Sequence, residues 1–272
     1  MGTINWINVS GGKDSTALLL WTLDEGLPNC RYVYADTKHE HPAVYDYLNY
    51  LQHKTGVTIE RVESEGFLEM SLRKQRFPSS QVRFCTQELK IFPLARYMGA
   101  QEPCSADDPH NVWVGIRAEE SPSRATLPET LYMPIKDGER IISYTLRMHP
   151  LLSWYVQDVF DIHKKHGINP NPLYKMGMHR VGCFPCILAT KAELRTMFKA
   201  FPEMVDRLRD WEQQVATRSK RGDASFFPVN RHTPQGYPCH IDDVVASLDQ
   251  GPELPGLEQN TGGCMSIYGL CE

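Results

Sequence analysis

A run of small, hydroxyl-bearing and charged residues near the N-terminus has the composition of an anion-binding turn. The run, called the phosphate loop below, reads Ser10-Gly11-Gly12-Lys13-Asp14-Ser15-Thr16. It lies between a strand-like segment and a longer apolar segment, so we expect it to join a strand to the first turn of a helix. A helix N-terminus presents unpaired N–H groups and a partial positive charge, which attract phosphate. The spacing differs from the Walker A motif and the dinucleotide-binding fingerprint, but it predicts a phosphate site.

Each residue type in the phosphate loop suits a nucleotide. Gly11 and Gly12 allow the backbone to approach phosphate oxygens closely. Lys13 supplies a mobile positive charge, and Asp14 is interpreted either as a helix cap or as a ligand of a nucleotide-bound magnesium ion. A plain strand-to-helix turn is the less favoured alternative. The hydroxyl donors of the loop are Ser10, Ser15 and Thr16.

The cysteines form a second group of chemically capable residues. Cys183 and Cys186 have the spacing that lets two thiolates from one turn bind a single metal centre. An iron–sulfur cluster, a structural zinc ion and a redox dithiol are the competing interpretations. Cys271 precedes the final residue of the sequence and is interpreted as a metal ligand or as a nucleophile that carries or attacks sulfur.

Three more charged residues are candidates because of their positions relative to predicted strands. Asp36 ends the second predicted strand, and Arg117 follows a later one. Ligands of open α/β sheets bind at the carboxyl ends of the strands. Arg117 is therefore expected to hold a phosphate or sulfate through two hydrogen bonds, and Lys90 to add a second positive charge. For each residue taken singly, a surface ion pair is an equally good interpretation.

The apolar pattern of the chain predicts the scaffold that positions these groups. Strands that alternate with helices pair in parallel through right-handed crossovers. We therefore predict an α/β fold with a doubly wound, mostly parallel sheet and helices on both faces. Residues 1–190 are expected to form a nucleotide-binding domain, on which a helical and irregular, cysteine-containing extension of residues 191–272 packs. The predicted strands cover residues 4–9, 31–35, 57–62 and 111–116. The predicted helices cover residues 17–23, 42–54, 89–98, 154–166, 187–218 and 241–248.

Composition narrows the class of protein further. The chain has 272 residues and a formal net charge of −4, so no global basic field attracts nucleic acid. No apolar run has membrane-spanning length, and the N-terminus lacks a signal-peptide pattern. We expect a cytoplasmic protein without a membrane partner. The eight cysteines would then be reduced, which favours metal binding or chemistry over disulfides.

The string Ser-Gly-Gly-Lys-Asp-Ser resembles the pyrophosphate loop (PP-loop) of the ATP pyrophosphatase, or adenine nucleotide α-hydrolase, superfamily. Five further segments resemble, in order, the phosphoadenylyl-sulfate (PAPS) reductase family. The resemblance implies an adenine nucleotide α-hydrolase-like fold, with the phosphate loop, Asp36, Arg117 and Arg124 around the nucleotide. The segments are Tyr34–Thr37 with His41-Pro42, Arg83–Thr86 with Lys90, Gly115–Ser121 with Arg124, Asn171–Tyr174, and Gly182–Cys186.

The same resemblance implies a metal cofactor. In the adenylyl-sulfate (APS) reductase branch, a Cys-Cys pair and a Cys-x-x-Cys pair hold a [4Fe–4S] cluster. Here the first pair is Cys85-Thr86, so one of the four ligands is missing. Either Cys264 or Cys271 completes the set with Cys85, Cys183 and Cys186, or one iron stays open to hold sulfur. The resemblance favours a [4Fe–4S] cluster over Zn²⁺.

Three functions follow from these resemblances. In the first, the protein uses ATP with Mg²⁺, releases pyrophosphate and activates a substrate by adenylylation for sulfur transfer. This is similar to the ATP pyrophosphatase of DNA phosphorothioation. The second is a PAPS or APS reductase that releases sulfite, and the third is a non-catalytic nucleotide-binding partner protein. The first implies catalytic roles for Lys13, Asp14, Lys90, Arg117 and Cys271.

Lys13 favours the ATP-dependent reaction. The reductases bind an already adenylylated sulfate, and their loops are typically degenerate because no leaving pyrophosphate has to be held. A complete loop with its lysine suits ATP, whose departing pyrophosphate needs charge neutralisation. A sulfur donor or cysteine desulfurase is the partner that this reaction implies. DNA, tRNA and a small molecule are the acceptor classes left open by the sequence.

Overall fold

The computed structural model describes residues 3–227 and 240–249, so the predicted ligand Cys264 and the predicted nucleophile Cys271 lie outside the described part. Within it, six strands form one sheet in the order β3-β2-β1-β4-β6-β5. Neighbouring strands pair in parallel except β5 and β6, which pair antiparallel. The predicted α/β class with a mostly parallel sheet is confirmed. The strands are β1 (Asn5–Asn8), β2 (Cys30–Asp36), β3 (Ile59–Glu63), β4 (His110–Trp113), β5 (Thr130–Asp137) and β6 (Arg140–Met148).

Helices cover both faces of this sheet. Along β1, Ile7 faces a core cluster shared with α1 and α2, whereas Trp6 faces a cluster shared with α5. Strands buried on both faces need apolar side chains at successive positions, as β1 has. The helices are α1 (Lys13–Asp24), α2 (Pro42–Thr55), α3 (Phe67–Lys74), α4 (Phe84–Thr86), α5 (Phe92–Gln101), α6 (Pro122–Ala125), α7 (Val156–Lys165), α8 (Pro172–Lys175), α9 (Lys191–Ala200), α10 (Glu203–Arg218) and α11 (Ile241–Asp249).

Several predicted boundaries are wrong for identifiable reasons. The first helix begins at Lys13 rather than at residue 17, because the loop residues themselves form its first turn. The predicted helix 89–98 is part of a longer helical stretch, in which a π-helical turn (Gln87–Ile91) joins α4 to α5. The predicted helix 187–218 is two helices, interrupted at Phe201 and Pro202.

The β5–β6 hairpin is missing from the sequence-based prediction. Its turn contains Gly138 with φ +61°, and the Asp137-Gly138 pair is a recognisable turn signal. Over most of its length, β5 alternates exposed with half-buried residues and β6 half-buried with buried residues, rather than forming a continuous apolar run, which is typical of an antiparallel edge. The hairpin extends the sheet beyond β4 and brings Met148 beside Trp113.

The sheet order creates a crevice next to β1. The chain leaves β1 for β2 on one side, whereas β4 lies on the other side, so the connections diverge at the carboxyl end of β1. Ligands of open α/β sheets bind at such a switch point. The phosphate loop begins there.

The described part of the predicted C-terminal extension packs on the main core. Leu194 of α9, Leu208 of α10 and Val244 of α11 belong to the same buried cluster as Ile7 of β1. The buried Glu212 carboxylate accepts hydrogen bonds from two backbone N–H groups, those of Phe226 and Ile241. The boundary at residue 190 stays a prediction. Among the described residues, no helix combines the length and apolarity needed to cross a membrane.

Candidate functional site

The phosphate loop turns sharply at Gly11, whose φ is +81°. A Cβ there would lie 3.3 Å from Val44 Cγ1 of α2, so both conformation and space require glycine. Gly12 then caps α1 in an extended conformation. The Ser10 and Ser15 hydroxyls lie 2.9 Å apart, and the Ser10 N–H donates to Ser15 Oγ at 3.0 Å. These bonds fold the loop back on the start of α1.

Asp14 lies at the centre of a buried charge cluster. Its side chain is fully buried, and its Oδ2 accepts a hydrogen bond from Lys13 Nζ at 2.7 Å. Its Oδ1 pairs with the Arg117 guanidinium, which is 4% exposed. Burial by itself would lower the pKa of Arg117, but the carboxylates of Asp14, Glu120 and Glu119 together raise that pKa. The predicted residues Lys13, Asp14 and Arg117 are therefore in direct contact.

Gly115 makes this contact geometrically feasible. A Cβ at Gly115 would lie 2.7 Å from the Asp14 carbonyl oxygen, a distance that real side chains do not adopt. The segment after β4 can therefore approach the first turn of α1 only because residue 115 lacks a side chain. This approach carries Arg117, two residues further on, to the Asp14 carboxylate.

Carboxylates also hold the two arginines of this segment in place. The Arg117 guanidinium bonds Glu119 Oε2, and the Arg117 N–H donates to Glu120 Oε2 at 2.9 Å. The buried Arg124 forms an ion pair with the same Glu120. The structure thus places Arg124 next to the Arg117 segment, and its predicted contact with a nucleotide stays a prediction.

Three side chains from the second half of the chain hold the backbone of the phosphate loop. The Tyr174 hydroxyl accepts the Lys13 N–H at 2.9 Å. Asn171 Nδ2 donates to the Gly11 carbonyl at 3.2 Å, and the buried His163 donates from Nε2 to the Lys13 carbonyl at 2.9 Å. Sequence reasoning assigned no role to any of them. The resemblance of the Asn171–Tyr174 segment to a family motif could have indicated a role for these residues, because nothing else in the sequence explained it.

A pocket of about 490 Å³ opens beside the loop at the switch point of the sheet. We call it the loop pocket. It contains the predicted Lys90 together with Glu40, a buried carboxylate that sequence reasoning missed. Burial raises the pKa of Glu40, although the nearby Lys90 opposes this shift. Its lining residues come from the ends of β1 and β2, from α5 and from the loops: Asn8, Val9, Ser10, Ser15, Val33, Tyr34, Ala35, Glu40, Lys90, Leu94, Gly115 and Gly182.

A second pocket, of about 540 Å³, contains both thiols of the Cys-x-x-Cys segment. We call it the cysteine pocket. Cys183 and Cys186 line it, and so do Arg180 and Glu193, which form an ion pair at 3.4 Å. Lys90 lines both pockets, as does Gly182. The predicted second cation therefore lies between the phosphate side and the sulfur side of the site.

The cysteine loop, Cys183–Cys186, is fastened to the segment that follows β2. The Phe184 N–H donates to the His39 carbonyl at 2.7 Å, and His39 Nε2 donates to the Pro185 carbonyl at 2.9 Å. Glu40 and Cys183 form an antiparallel bridge. Burial, together with the nearby Arg207, lowers the pKa of His39 to about 3, so its ring is neutral.

The cysteines described by the structure do not by themselves fit a four-ligand cluster. Cys85 is half-buried on α4, whereas Cys183 and Cys186 share the cysteine pocket. Across residues 3–227 and 240–249, no group of three or more histidine, cysteine or carboxylate side chains is arranged to hold a metal ion. Because Cys264 lies outside this range, the predicted ligand set stays a prediction.

Asp36 of β2 and Thr16, the last residue of the phosphate loop, are both buried. Asp36 ends β2, where its carboxylate accepts hydrogen bonds from the Tyr45 hydroxyl and the Lys38 N–H and pairs with Arg61. Asp36 is not among the residues that line the loop pocket. Thr16 is fully buried on α1. Their predicted contacts with a nucleotide remain predictions.

Fold and site together define an α/β protein with a glycine-containing loop and a helix N-terminus at the switch point of a mostly parallel sheet. The chain belongs to the phosphoadenosine phosphosulfate reductase domain family, whose pattern matches residues 4–189. The matched range contains the phosphate loop, Arg117, Lys90 and the cysteine loop. The predicted family is confirmed.

The relatives of this chain include both uncharacterized proteins and reductases. An uncharacterized 37.8 kDa protein of Escherichia phage 186 is 36% identical over 89% of this chain and 84% of its own length. The adenosine 5′-phosphosulfate reductase of Mesorhizobium japonicum is 28% identical over 65% of this chain and 63% of its own. Two uncharacterized proteins of Methanocaldococcus jannaschii are matched over 42% and 46% of their lengths. A crystal structure of PAPS reductase from Candida auris in complex with phosphate aligns with TM-score 0.46 and 15% identity, covering 67% of this chain and 82% of that one.

Proposed function

We propose that this protein cleaves ATP to AMP and pyrophosphate and adenylylates a substrate for sulfur transfer. The observation that carries the proposal is the pair of cations at the start of α1. Lys13 and Arg117 both contact the Asp14 carboxylate, at the helix end where N–H groups point outward. A mobile ammonium and a fixed guanidinium at one helix N-terminus suit the developing charge of a leaving pyrophosphate.

Each group has a defined task in this reaction. The turn at Gly11 and the N-terminus of α1 bind the phosphates through backbone N–H groups. Lys13 moves from Asp14 to the departing oxygens, while Arg117 stays fixed by Glu119 and Asp14. The substrate nucleophile attacks the α-phosphorus, the α–β bridging bond breaks, and pyrophosphate leaves with the electron pair. A nucleophilic sulfur atom from the sulfur donor then displaces AMP from the adenylylated substrate.

Magnesium is the expected companion of ATP, and Asp14 is the carboxylate positioned to receive it. When bound, Mg²⁺ would neutralise charge on the phosphate oxygens. Asp14 fits this role because it is fully buried and already balances two cations, one of which is the mobile Lys13. Release of Lys13 toward phosphate frees Asp14 Oδ2 for the metal ion.

The sulfur half of the reaction is assigned to the cysteine pocket. It adjoins the loop pocket through Lys90 and Gly182, so an activated group held near Lys90 is accessible to the thiol side. The proposed [4Fe–4S] cluster, its zinc alternative and the role of Cys271 remain separate predictions, and no step above depends on them. The acceptor class and the sulfur donor or desulfurase partner stay open, as does the closeness to the DNA-phosphorothioation branch.

Reduction of APS or PAPS to sulfite is the second candidate. It is favoured by family membership and by the 28% identity to an adenosine 5′-phosphosulfate reductase. Because the two reactions differ in their nucleotide, a paired assay separates them. Anaerobically purified protein is incubated with Mg²⁺, ATP and a panel of nucleic acids and small acceptors, and in parallel with APS or PAPS and thioredoxin.

We expect acceptor-dependent release of pyrophosphate and formation of AMP from ATP, with no sulfite from APS or PAPS. Sulfite production without any pyrophosphate release would replace the proposal by the reductase function. Tight nucleotide binding without turnover of either substrate would favour a non-catalytic binding partner. A protein with the phosphate loop disabled, Lys13→Ala, serves as the blank in the ATP assay.

A further inference from the structure

Tyr174 differs from the other side chains that hold the phosphate loop. His163 and Asn171 donate to loop carbonyls, at Lys13 and Gly11, and leave the loop N–H groups unaffected. Tyr174 instead accepts the N–H of Lys13, the first residue of α1, at 2.9 Å. A backbone N–H at this position of a helix is a donor that a bound phosphate uses. Tyr174 therefore occupies a place that phosphate requires.

The tyrosine ring also lies near the loop lysine. Lys13 Nζ is 5.8 Å from the centroid of the Tyr174 ring, a distance at which a cation is attracted to an aromatic face. The backbone N–H and the side-chain ammonium of Lys13 thus both interact with Tyr174. A phosphate that takes both donors would have to displace the tyrosine.

Displacement of Tyr174 would reach the cysteine pocket through α8. This short helix begins after Asn171, whose Oδ1 caps it by accepting the Leu173 N–H at 3.1 Å. Leu173 and Met178 both line the cysteine pocket, and the Met178 N–H donates to the Leu173 carbonyl at 3.1 Å. Tyr174 lies between these two residues in the chain, so a shift of Tyr174 moves one wall of that pocket.

We propose that Tyr174 is a positioning residue which phosphate displaces from Lys13, and that its release couples nucleotide binding to the cysteine pocket. The inference rests on the proposed function, since it needs a phosphate-bearing ligand at the loop. It orders the reaction: the nucleotide binds first, and the wall of the cysteine pocket responds.

Tyr174→Phe tests the competition, because it removes the hydroxyl and keeps the ring. Titration calorimetry measures the Kd of inorganic pyrophosphate and of a non-hydrolysable ATP analogue with Mg²⁺. We expect the variant to bind both ligands about fivefold more tightly, because the ligand no longer has to break the hydrogen bond between Tyr174 and Lys13. A factor of about five corresponds to one ordinary hydrogen bond. Tyr50→Phe is the matched control, since its hydroxyl also accepts a backbone N–H, that of Asn169 at 3.0 Å, and not one of the loop. Unchanged or weaker binding by Tyr174→Phe would overturn the inference.

Hydrogen exchange measures the coupling separately. In the wild-type protein, saturating pyrophosphate should raise the amide exchange rate of residues 173–178 about fivefold, and in Tyr174→Phe it should leave that rate unchanged. If pyrophosphate leaves this exchange rate unchanged in the wild type, the proposed coupling is wrong. The two failures are distinguishable, because a wild type that binds neither pyrophosphate nor the ATP analogue overturns the proposed function itself. Binding without a gain in Tyr174→Phe overturns this inference alone.

Discussion

The phosphate loop and the cysteine loop lie beside neighbouring pockets but differ in the charges that contact them. Around the phosphate loop, charges balance one another, with Asp14 between Lys13 and Arg117. The cysteine loop is fastened through its backbone, by the neutral His39, whose ring packs 4.6 Å from Phe67 and 4.9 Å from Trp211, and by the Arg207 guanidinium, which donates to the Phe184 carbonyl. The phosphate loop thus contains an ion pair between its own side chains, whereas these contacts hold the cysteine loop by its backbone groups.

The difference between the two loops has an energetic consequence. Breaking a buried ion pair by removing one partner leaves an uncompensated charge, which costs about 3–5 kcal/mol. A ligand that supplies the missing charge avoids this cost, and in the proposed function phosphate replaces Asp14 as the partner of Lys13 in this way. The backbone contacts of the cysteine loop involve no carboxylate that an anion replaces. The phosphate loop is therefore suited to switching partners, and the cysteine loop to staying fixed.

The largest effect is expected from Lys13→Ala, which removes the mobile charge of the phosphate loop. ATP turnover should fall about 100- to 1,000-fold, because a lost transition-state donor costs that much. The melting temperature, followed by circular dichroism, should also fall, because the buried Asp14 carboxylate loses one of its two cations, so turnover is compared at a temperature at which both proteins are folded. Lys165→Ala is the control, since Lys165 forms an exposed ion pair with Asp24. Undiminished pyrophosphate release by Lys13→Ala would remove the loop lysine from the mechanism.

The cysteine side is tested by metal content. If Cys183 is a cluster ligand, Cys183→Ser purified anaerobically should contain at least about tenfold less iron per chain than the wild type. Cys104→Ser should retain the wild-type amount, because Cys104 lies by Ser143 of the β5–β6 hairpin. Zinc without iron in the wild type would support the structural zinc interpretation, and a protein with neither metal would support a dithiol.

Gly115→Ala should disrupt the contact that brings Arg117 to the phosphate loop. The new methyl group would lie 2.7 Å from the Asp14 carbonyl oxygen, and the clash is with backbone. We expect the free energy of unfolding, measured in urea, to fall by about 3 kcal/mol. Gly99→Ala in α5 is the matched control, because its methyl group meets nothing within 4 Å. It should stabilise the protein by about 0.5–1 kcal/mol. Equal stabilities for the two variants would contradict the packing argument.

A smaller effect is expected on the pH dependence of the stability of the protein. Burial lowers the pKa of His163 below its ordinary value, so the unfolded chain takes up the proton more readily than the folded protein does. The contribution of the neutral His163 to the free energy of unfolding is complete above about pH 6.5. Below this pH the contribution is lost, by at most about 1.4 kcal/mol per pH unit. His163→Gln should show a shallower loss of stability between pH 7 and pH 5, while exposed His53→Gln should follow the wild type. Parallel curves for all three proteins would contradict this assignment.

The local parts of the site were predictable because local rules produce them. The run from Ser10 to Thr16 contains its own turn residues and its own helix start, so its role follows from neighbours in the chain. The Cys183–Cys186 spacing is local in the same sense. The alternation of strands and helices identified β1 to β4, and the unrecognised hairpin belongs to an edge where the apolar pattern is weakest.

Contacts between distant residues could not be predicted from the sequence. Asp14 and Arg117 are 103 positions apart, and Lys13 and Tyr174 are 161 apart. Sequence reasoning grouped Arg117 with the phosphate loop from its position after a strand, but it gave no reason for Gly115. It also gave no role to Glu40, a polar residue whose burial depends on segments far along the chain.

By itself, the sequence determined the phosphate loop, the cysteine pair, the α/β class and the family, because turns, helix starts and strand periodicity arise from neighbouring residues. The tertiary structure decided which charges meet, that Lys90 lies between two pockets, and that Tyr174 takes the Lys13 N–H. These arrangements depend on strand order and on close backbone approach, as at Gly115 and Asp14. Such distances are set by the packing of the whole sheet, which no short stretch of sequence records.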